Sequence, residues 1–166
     1  MRVLILISLS FVSSRQEFVS FQDVSTGPLP VRQPPIWVGG ASDAAIRRSV
    51  RFGDAWHPLN QRISWLREYG IPELKKVAVS VNRPVPGFAP RLPLRLTDYS
   101  LDDNRRLAGQ GSRDQVRRDL YELAELGATH VLFDTYLGTP KEMRPADDDH
   151  RLLDAIAEDV LLLQRG

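Results

Sequence analysis

The stretch Pro34-Pro35-Ile36-Trp37-Val38-Gly39-Gly40-Ala41-Ser42-Asp43, followed by Gly53-Asp54-Ala55-Trp56-His57-Pro58, constrains this chain most, because it reads as strand, tight turn, helix and second strand. Pro34 and Pro35 exclude a helical lead-in, and Ile36 to Val38 is a short apolar run of β-favouring residues. Gly39 and Gly40 let the backbone turn sharply and approach a ligand with no side chain in the way. Ser42 is placed to cap a helix over Asp43 to Phe52, with Ile46 and Val50 spaced to face a core. Such a turn aims backbone N–H groups and the positive end of a helix dipole at one spot, which suits a phosphate. Gly-Gly-x-Ser also describes a tight βα turn that binds nothing.

The alternation continues along the chain. Asp54 to His57 reads as a second strand, and Arg62 to Lys76 as a helical segment that Gly70 and Pro72 must bend or break, with Trp65, Leu66 and Tyr69 packing inward. Val77 to Val81 reads as a β run. Asn82 to Gly111, with Pro84, Pro86, Pro90 and Pro93, reads as a long loop with room for a short strand at Leu92 to Leu96. Ser112 and Gln115 form a capping box for a helix with the apolar stripe Val116, Leu120, Leu123 and Ala124, ended by Gly127. His130 to Phe133 is the fourth strand, and Leu152, Leu153, Ile156, Ala157, Val160 and Leu161 mark a closing amphipathic helix. Four βα units in succession imply a parallel sheet with right-handed crossovers.

Residues 34–42, with Ile46-Arg47-Arg48 and Gly53-Asp54-Ala55-Trp56, resemble the luciferase-like monooxygenase family, and most of all its deazaflavin-dependent (coenzyme F420) oxidoreductase branch. Gly111 to Val116 resembles that family's late helix start, and Leu126 to Asp134 its last helix-to-strand junction. The similarity runs from about Phe18 to the C-terminus. It implies an atypical N-terminal segment, 1–17, followed by the C-terminal half of a luciferase-like barrel, 18–166. A complete (β/α)8 TIM barrel typically takes about 250 residues, and this chain has 166. The expected fold is therefore α/β, a partial (half) TIM barrel of about four parallel βα units.

The resemblance implies an oxidoreductase that passes a hydride between coenzyme F420, or alternatively FMN, and a small organic substrate. In that family the first two loops hold the cofactor. Gly39, Gly40 and Ala41, flanked by Val38 and Ser42, would donate backbone hydrogen bonds to its phosphate, while Trp56, His57 and Pro58 would lie along its tail or ring edge. The family's substrate-protonating residues belong to the front half of the barrel, so no catalytic residue is assigned here. A half-barrel turns a sheet edge and core side chains toward water, which implies a homodimer or a partner that completes it. The competing reading is a non-catalytic half-barrel that keeps a phosphate-binding loop or drives self-association.

Composition narrows the alternatives. With 22 basic and 21 acidic residues the net charge is +1, which gives no electrostatic case for nucleic acid or an anionic membrane. Hydrophobic residues make up 42% and charged residues 26%, a globular balance rather than a disordered one. The absence of cysteine excludes disulfides and thiolate metal sites and fits the cytoplasm. Met1-Arg2 and the apolar run Val3 to Val12 begin like a signal peptide, but no convincing small-x-small cleavage site follows and the run is too short to span a bilayer. An improvised strand or cover in front of a barrel remnant is the preferred account.

Ligands of such barrels sit at the carboxyl ends of the strands, here Val38 to Ser42, Trp56 to Asn60, the loop after Val81, and Asp134 to Tyr136. Each candidate has a plainer alternative. Trp37 and Trp56 serve packing as readily as ligand contact. His57 leads the histidines because it closes a strand at the ligand end, against a structural hydrogen-bonding role. His130, at a strand start, reads as structural, and His150 as exposed; the three show no metal-ligand spacing. Arg47 and Arg51 share a helix face, either solvated or turned to an acidic coenzyme tail. Asp54 orders the turn after Gly53, and Asp147 to Asp149 suit the start of the closing helix without any function.

Overall fold

The computed structural model describes residues 11–15, 17–18, 20–25, 30–136 and 145–163. The chain divides between Pro35 and Ile36 into two compact units. In the first, strands β1 (Phe11–Arg15) and β2 (Ser20–Ser25) form an antiparallel hairpin with a register shift between Val12 and Ser14. Most of the apolar run from Val3 lies outside the described residues; Phe11 and Val12 belong to β1.

The second unit opens with β3 (Trp37–Gly39), α1 (Asp43–Phe52) and β4 (Ala55–His57), as the Pro34 to Pro58 pattern predicts. Ser42 Oγ accepts the Ala45 N–H at 3.3 Å, and Ile46 and Val50 are buried. The next helical segment runs as α2 (Ile63–Trp65), a π-helical turn at Leu66–Gly70, and α3 (Ile71–Ser80). The expected disturbance at Gly70 and Pro72 is this π turn, which lets the helix bulge without breaking. A Cβ on Gly70 would stand 2.7 Å from the Trp65 ring and 2.9 Å from the Trp56 ring, so glycine is what lets the helix pass two indoles. Leu66 is buried and Trp65 partly so, but Tyr69, expected inside, is 40% exposed.

The β run expected at Val77 to Val81 is instead the last turn of α3 and the turn after it. Leu74 and Ala78 lie one helical turn apart and are both fully buried. Burying that face outweighs the strand preference of Val77 and Val79, an override of weak local propensity by tertiary packing. The third strand comes later, inside the stretch expected as a loop, as β5 (Gly87–Phe88) and β6 (Arg91–Pro93). The short strand foreseen at Leu92 to Leu96 is divided between β6 and β7 (Arg95–Leu96), and β7 pairs with β8 (Gln110–Gly111). Helix α4 (Arg113–Glu125) begins at the predicted capping box, and Gly127, at φ 90°, follows its end. Strand β9 (Leu132–Asp134) and helix α5 (Ala146–Leu163) complete the unit.

The staves pair in parallel. Trp37 lies opposite Ala55 and Gly39 opposite His57; Ala55 lies opposite Gly87, and the bridge from Leu59 to Arg91 keeps the same register. β5 and β6 are thus two parts of one stave between β4 and β9, with Arg91 opposite Leu132 and Pro93 opposite Asp134. The result is the expected α/β fold of parallel strands, in which each stave neighbours the next in chain order. Among the described residues no strand pairs with the free side of β3 or of β9.

Strand alternation separates two faces. Trp56, Pro58, Phe88, Pro90 and Leu92 point to the helices and are buried, joined by Ile46, Val50, Leu66, Leu74 and Leu123 in the main core. Trp37, Gly39, His57, Arg91, Leu132 and Asp134 point to the opposite face, where Trp37 and Leu132 are 39% and 42% exposed. A second core of Leu94, Val116 and Ile156 joins α4 to α5. On α4, the expected stripe holds at Val116 and Leu123, but Ala124 is exposed and its buried companion is Asp119. Asp119 accepts two hydrogen bonds from the Arg106 guanidinium, at 2.6 and 2.7 Å, and one from the Gly109 N–H at 2.9 Å. Arg106 also donates to Asp103 and to the Gln110 carbonyl, closing the excursion between β7 and α4.

Candidate active site at the carboxyl ends of the staves

Because the staves run parallel, their carboxyl ends lie on one side and bring together the turn after β3, Pro58 to Asn60, and Asp134 to Tyr136. Gly40 carries the turn at φ 106°, and a Cβ there would stand 3.0 Å from that of Ala45. This position needs glycine on both counts. The Gly40 N–H donates to the His57 carbonyl at 3.2 Å, and its own carbonyl accepts the Trp56 indole N–H at 2.8 Å. Ala41 and Ser42 then lead into α1. Among the residues expected to cradle a phosphate, Gly40 therefore spends its N–H on the sheet. In the first turn of α1 the Ala45 N–H is taken by Ser42 Oγ, which leaves those of Asp43 and Ala44 oriented along the helix axis at the ligand end.

An acidic residue shares that position. Asp43, the first residue of α1, accepts a 2.6 Å hydrogen bond from the Tyr69 hydroxyl, which holds the phenol above its usual pKa. The carboxylate complements the helix dipole itself and competes with any incoming anion.

Trp56 and Pro58, expected along a ligand, have buried side chains on the helix-facing side of the sheet. Trp56 packs 5.8 Å from the Phe88 ring and 6.3 Å from that of Trp65, so its part is to hold the glycine turn from beneath. His57 is at the open face. Its Nδ1 lies 2.5 Å from the Ala89 carbonyl, which can only accept, so Nδ1 carries the proton and Nε2 is left for another partner. The Trp37 ring sits 5.7 Å from His57 and 5.2 Å from His130, joining a histidine read as structural to one read as functional. Arg47 and Arg51 are exposed on α1.

Arg91 is the residue that sequence reasoning missed. It lies on the open face of the third stave, ion-paired through Nη2 to Asp134 on the fourth. Its signal was a lone charge alternating with Phe88, Ala89, Pro90 and Leu92, masked by the prolines that suggested a loop. A separate cleft of about 230 Å³ lies between the π turn, the β7–α4 excursion and α4. Its arginines are spoken for: Arg67 pairs with Glu122, Arg118 with Asp103 and Arg106 with Asp119. Among the described residues, no group of three metal-ligating side chains gathers, and no helix is long and apolar enough to cross a membrane.

No family model and no curated protein matches this sequence. Solved structures do. The fold is similar to an F420-dependent secondary alcohol dehydrogenase in complex with an F420-acetone adduct, with a TM-score of 0.61 and 11% identity over 76% of this chain and 50% of that one. It is also similar to a coenzyme F420 dependent tetrahydromethanopterin reductase from Methanopyrus kandleri, with a TM-score of 0.58 and 10% identity over 75% of this chain and 52% of that one. The resemblance drawn from residues 34–42 and 53–56 is borne out in that the structural neighbours are F420-dependent enzymes. At such identities the likeness establishes the fold. The chain spans about half the length of these structures.

Proposed function

We propose that this chain, sharing its fold with part of two F420-dependent enzymes, is an F420-dependent oxidoreductase of luciferase-like type that acts on a small organic molecule. The observation that carries the reading is the glycine turn. It closes the first stave at the carboxyl end of a parallel array, in a conformation that only glycine adopts comfortably, and is fastened from below by Trp56. The residues fit a deazaflavin in part. Gly39 and Ala41 with the start of α1 would hold its phosphate, and Trp37 and His57 offer flat rings beside it. Trp56 and Pro58 act only as support. The bound coenzyme would supply hydride transfer; the chain's own residues orient the reactants, and His57 Nε2 is the atom placed to hold or pass a proton.

Titration with coenzyme F420, with FMN in parallel, followed by cofactor fluorescence, tests this. Saturable binding of F420 is expected, with FMN weaker. Gly39→Trp is the blocking variant: a Cβ at Gly39 meets only the His57 carbonyl, at 3.9 Å, so an indole there enters the open face without disturbing the backbone. It should lower F420 affinity at least about tenfold, roughly the 1.4 kcal/mol that a blocked contact readily exceeds, while the melting temperature holds. A folded protein that binds neither cofactor would favour the second reading, a non-catalytic array. Asp43 supports that alternative, because its carboxylate already occupies the helix start.

The open edges of β3 and β9, with Trp37 and Leu132 exposed on the open face, further support a homodimer in which a second copy covers that face. Light scattering at micromolar concentration should give a mass of twice 18.8 kDa; a stable, compact monomer overturns the dimer.

A further inference from the structure

We propose that Arg91, held by Asp134 on the same face as the Trp37 and His57 rings, is a carboxylate-recognition residue, so that the organic substrate of this site carries a carboxylate. In taking the occupant as a substrate, this rests on the oxidoreductase reading. Register places the group. Arg91 follows by two residues the Ala89 that lies beside His57, so both side chains share the open face and Arg91 stands one stave over, toward the carboxyl end. Leu92, next to it in β6, is buried on the opposite side, which fixes the direction in which Arg91 points.

The ion pair is single-point. Arg91 reaches Asp134 Oδ2 through Nη2, and its remaining guanidinium nitrogens have no partner among the described residues. Asp134 is secured independently: its Oδ1 accepts the Tyr136 N–H at 3.1 Å and its carbonyl accepts the Leu94 N–H at 2.8 Å. A fixed carboxylate thus orients a guanidinium that keeps part of its fork for a second acceptor. The side chain is 35% exposed, low enough to hold one orientation and high enough to meet a ligand. A planar fork suits a carboxylate above a spherical anion, and charge-assisted bonds of this type are the strong ones. The flat Trp37 and His57 rings, toward the amino ends of the staves on the same face, suit the flat or apolar body of such an acid.

The full chain is titrated with benzoate and, in parallel, with benzamide, its uncharged flat analogue, following amide chemical shifts, and with coenzyme F420 by fluorescence. Benzoate is expected to bind at least about tenfold more tightly than benzamide, and Arg91→Gln to erase that preference while leaving F420 affinity within about twofold. Arg91→Lys, a point charge without the fork, should retain only part of it. Should Arg91→Gln fail to fold, the lysine variant decides alone: full retention of the preference overturns the proposal. Equal binding of benzoate and benzamide by the wild-type chain, or a benzoate affinity unmoved by Arg91→Gln, also overturns it. So does a loss confined to F420, which would assign Arg91 to the coenzyme's acidic tail. Arg91-dependent benzoate binding with no F420 binding would instead sink the coenzyme reading and leave the carboxylate site standing.

Discussion

Asp119→Ala is expected to lower the stability of this protein by about 3–5 kcal/mol, enough to unfold a chain of ordinary marginal stability near physiological temperature. The side chain is fully buried, and removing it takes two hydrogen bonds from the guanidinium of Arg106, itself 7% exposed, and the one acceptor of the Gly109 N–H. The cost is that of a buried charge left with only the exposed Asp103 carboxylate, rather than the worth of the pair. The double variant Arg106→Met/Asp119→Leu should therefore be markedly milder than either single change, as apolar replacement of buried pairs often is. Chemical denaturation of the three variants checks this, and additive losses would show that the pair is not the unit.

Acid should act on the same network through Asp103. Its hydrogen bond from Arg106 holds that carboxyl below its usual value of 3.8. A carboxyl with a depressed folded-state pKa adds stability above its unfolded value and loses it as pH falls. The contribution is thus lost below about pH 4, within the acid limb of the unfolding curve.

Trp56 carries the second large effect. Trp56→Ala removes the largest fully buried side chain from between Phe88, Trp65 and Gly70, and should cost about 3–5 kcal/mol. Trp56→Phe separates packing from fastening. It keeps a ring in the core but withdraws the indole N–H from the Gly40 carbonyl, leaving a partly buried acceptor unpaired at a cost of about 1–3 kcal/mol. If the turn is a ligand cradle, the phenylalanine variant should lose coenzyme affinity out of proportion to its stability. Unchanged affinity at reduced stability would reduce Trp56 to a core residue.

The contrast between these residues marks what could be read from the sequence. The glycine turn, α1, β4 and the capping box were legible because each is written in local chemistry: prolines before, glycines at a turn, a serine at a cap, apolar residues at helical spacing. Val77 to Val81 reads as a strand yet is helical through Ser80, because β-branched residues leave the choice of helix or strand to what Leu74 and Ala78 bury against. The stave from Gly87 to Pro93 was hidden by Pro90 and Pro93, whose missing N–H groups the parallel register nevertheless accommodates. Trp56 and His57 are adjacent and share one expected role, yet strand alternation sends one under the helices and the other to the open face. Nothing in the local sequence marks Asp119 as buried; only the meeting of α4 with the excursion that carries Arg106 makes it a core residue.

The chain order of the staves also bears on how the molecule comes together. β3 meets β4 across a separation of 18 residues, as Ile36 and Asp54 do, while β4 meets the third stave across 32 and the third meets the fourth across about 41. Closure entropy rises only slowly, by about 0.6 kcal/mol per doubling of loop length, but it favours the shortest loop first. Assembly can therefore proceed like a zipper from Trp37 onward, each stave templating the next, and the glycine turn is in place before the segment that brings Asp134 to Arg91 has docked.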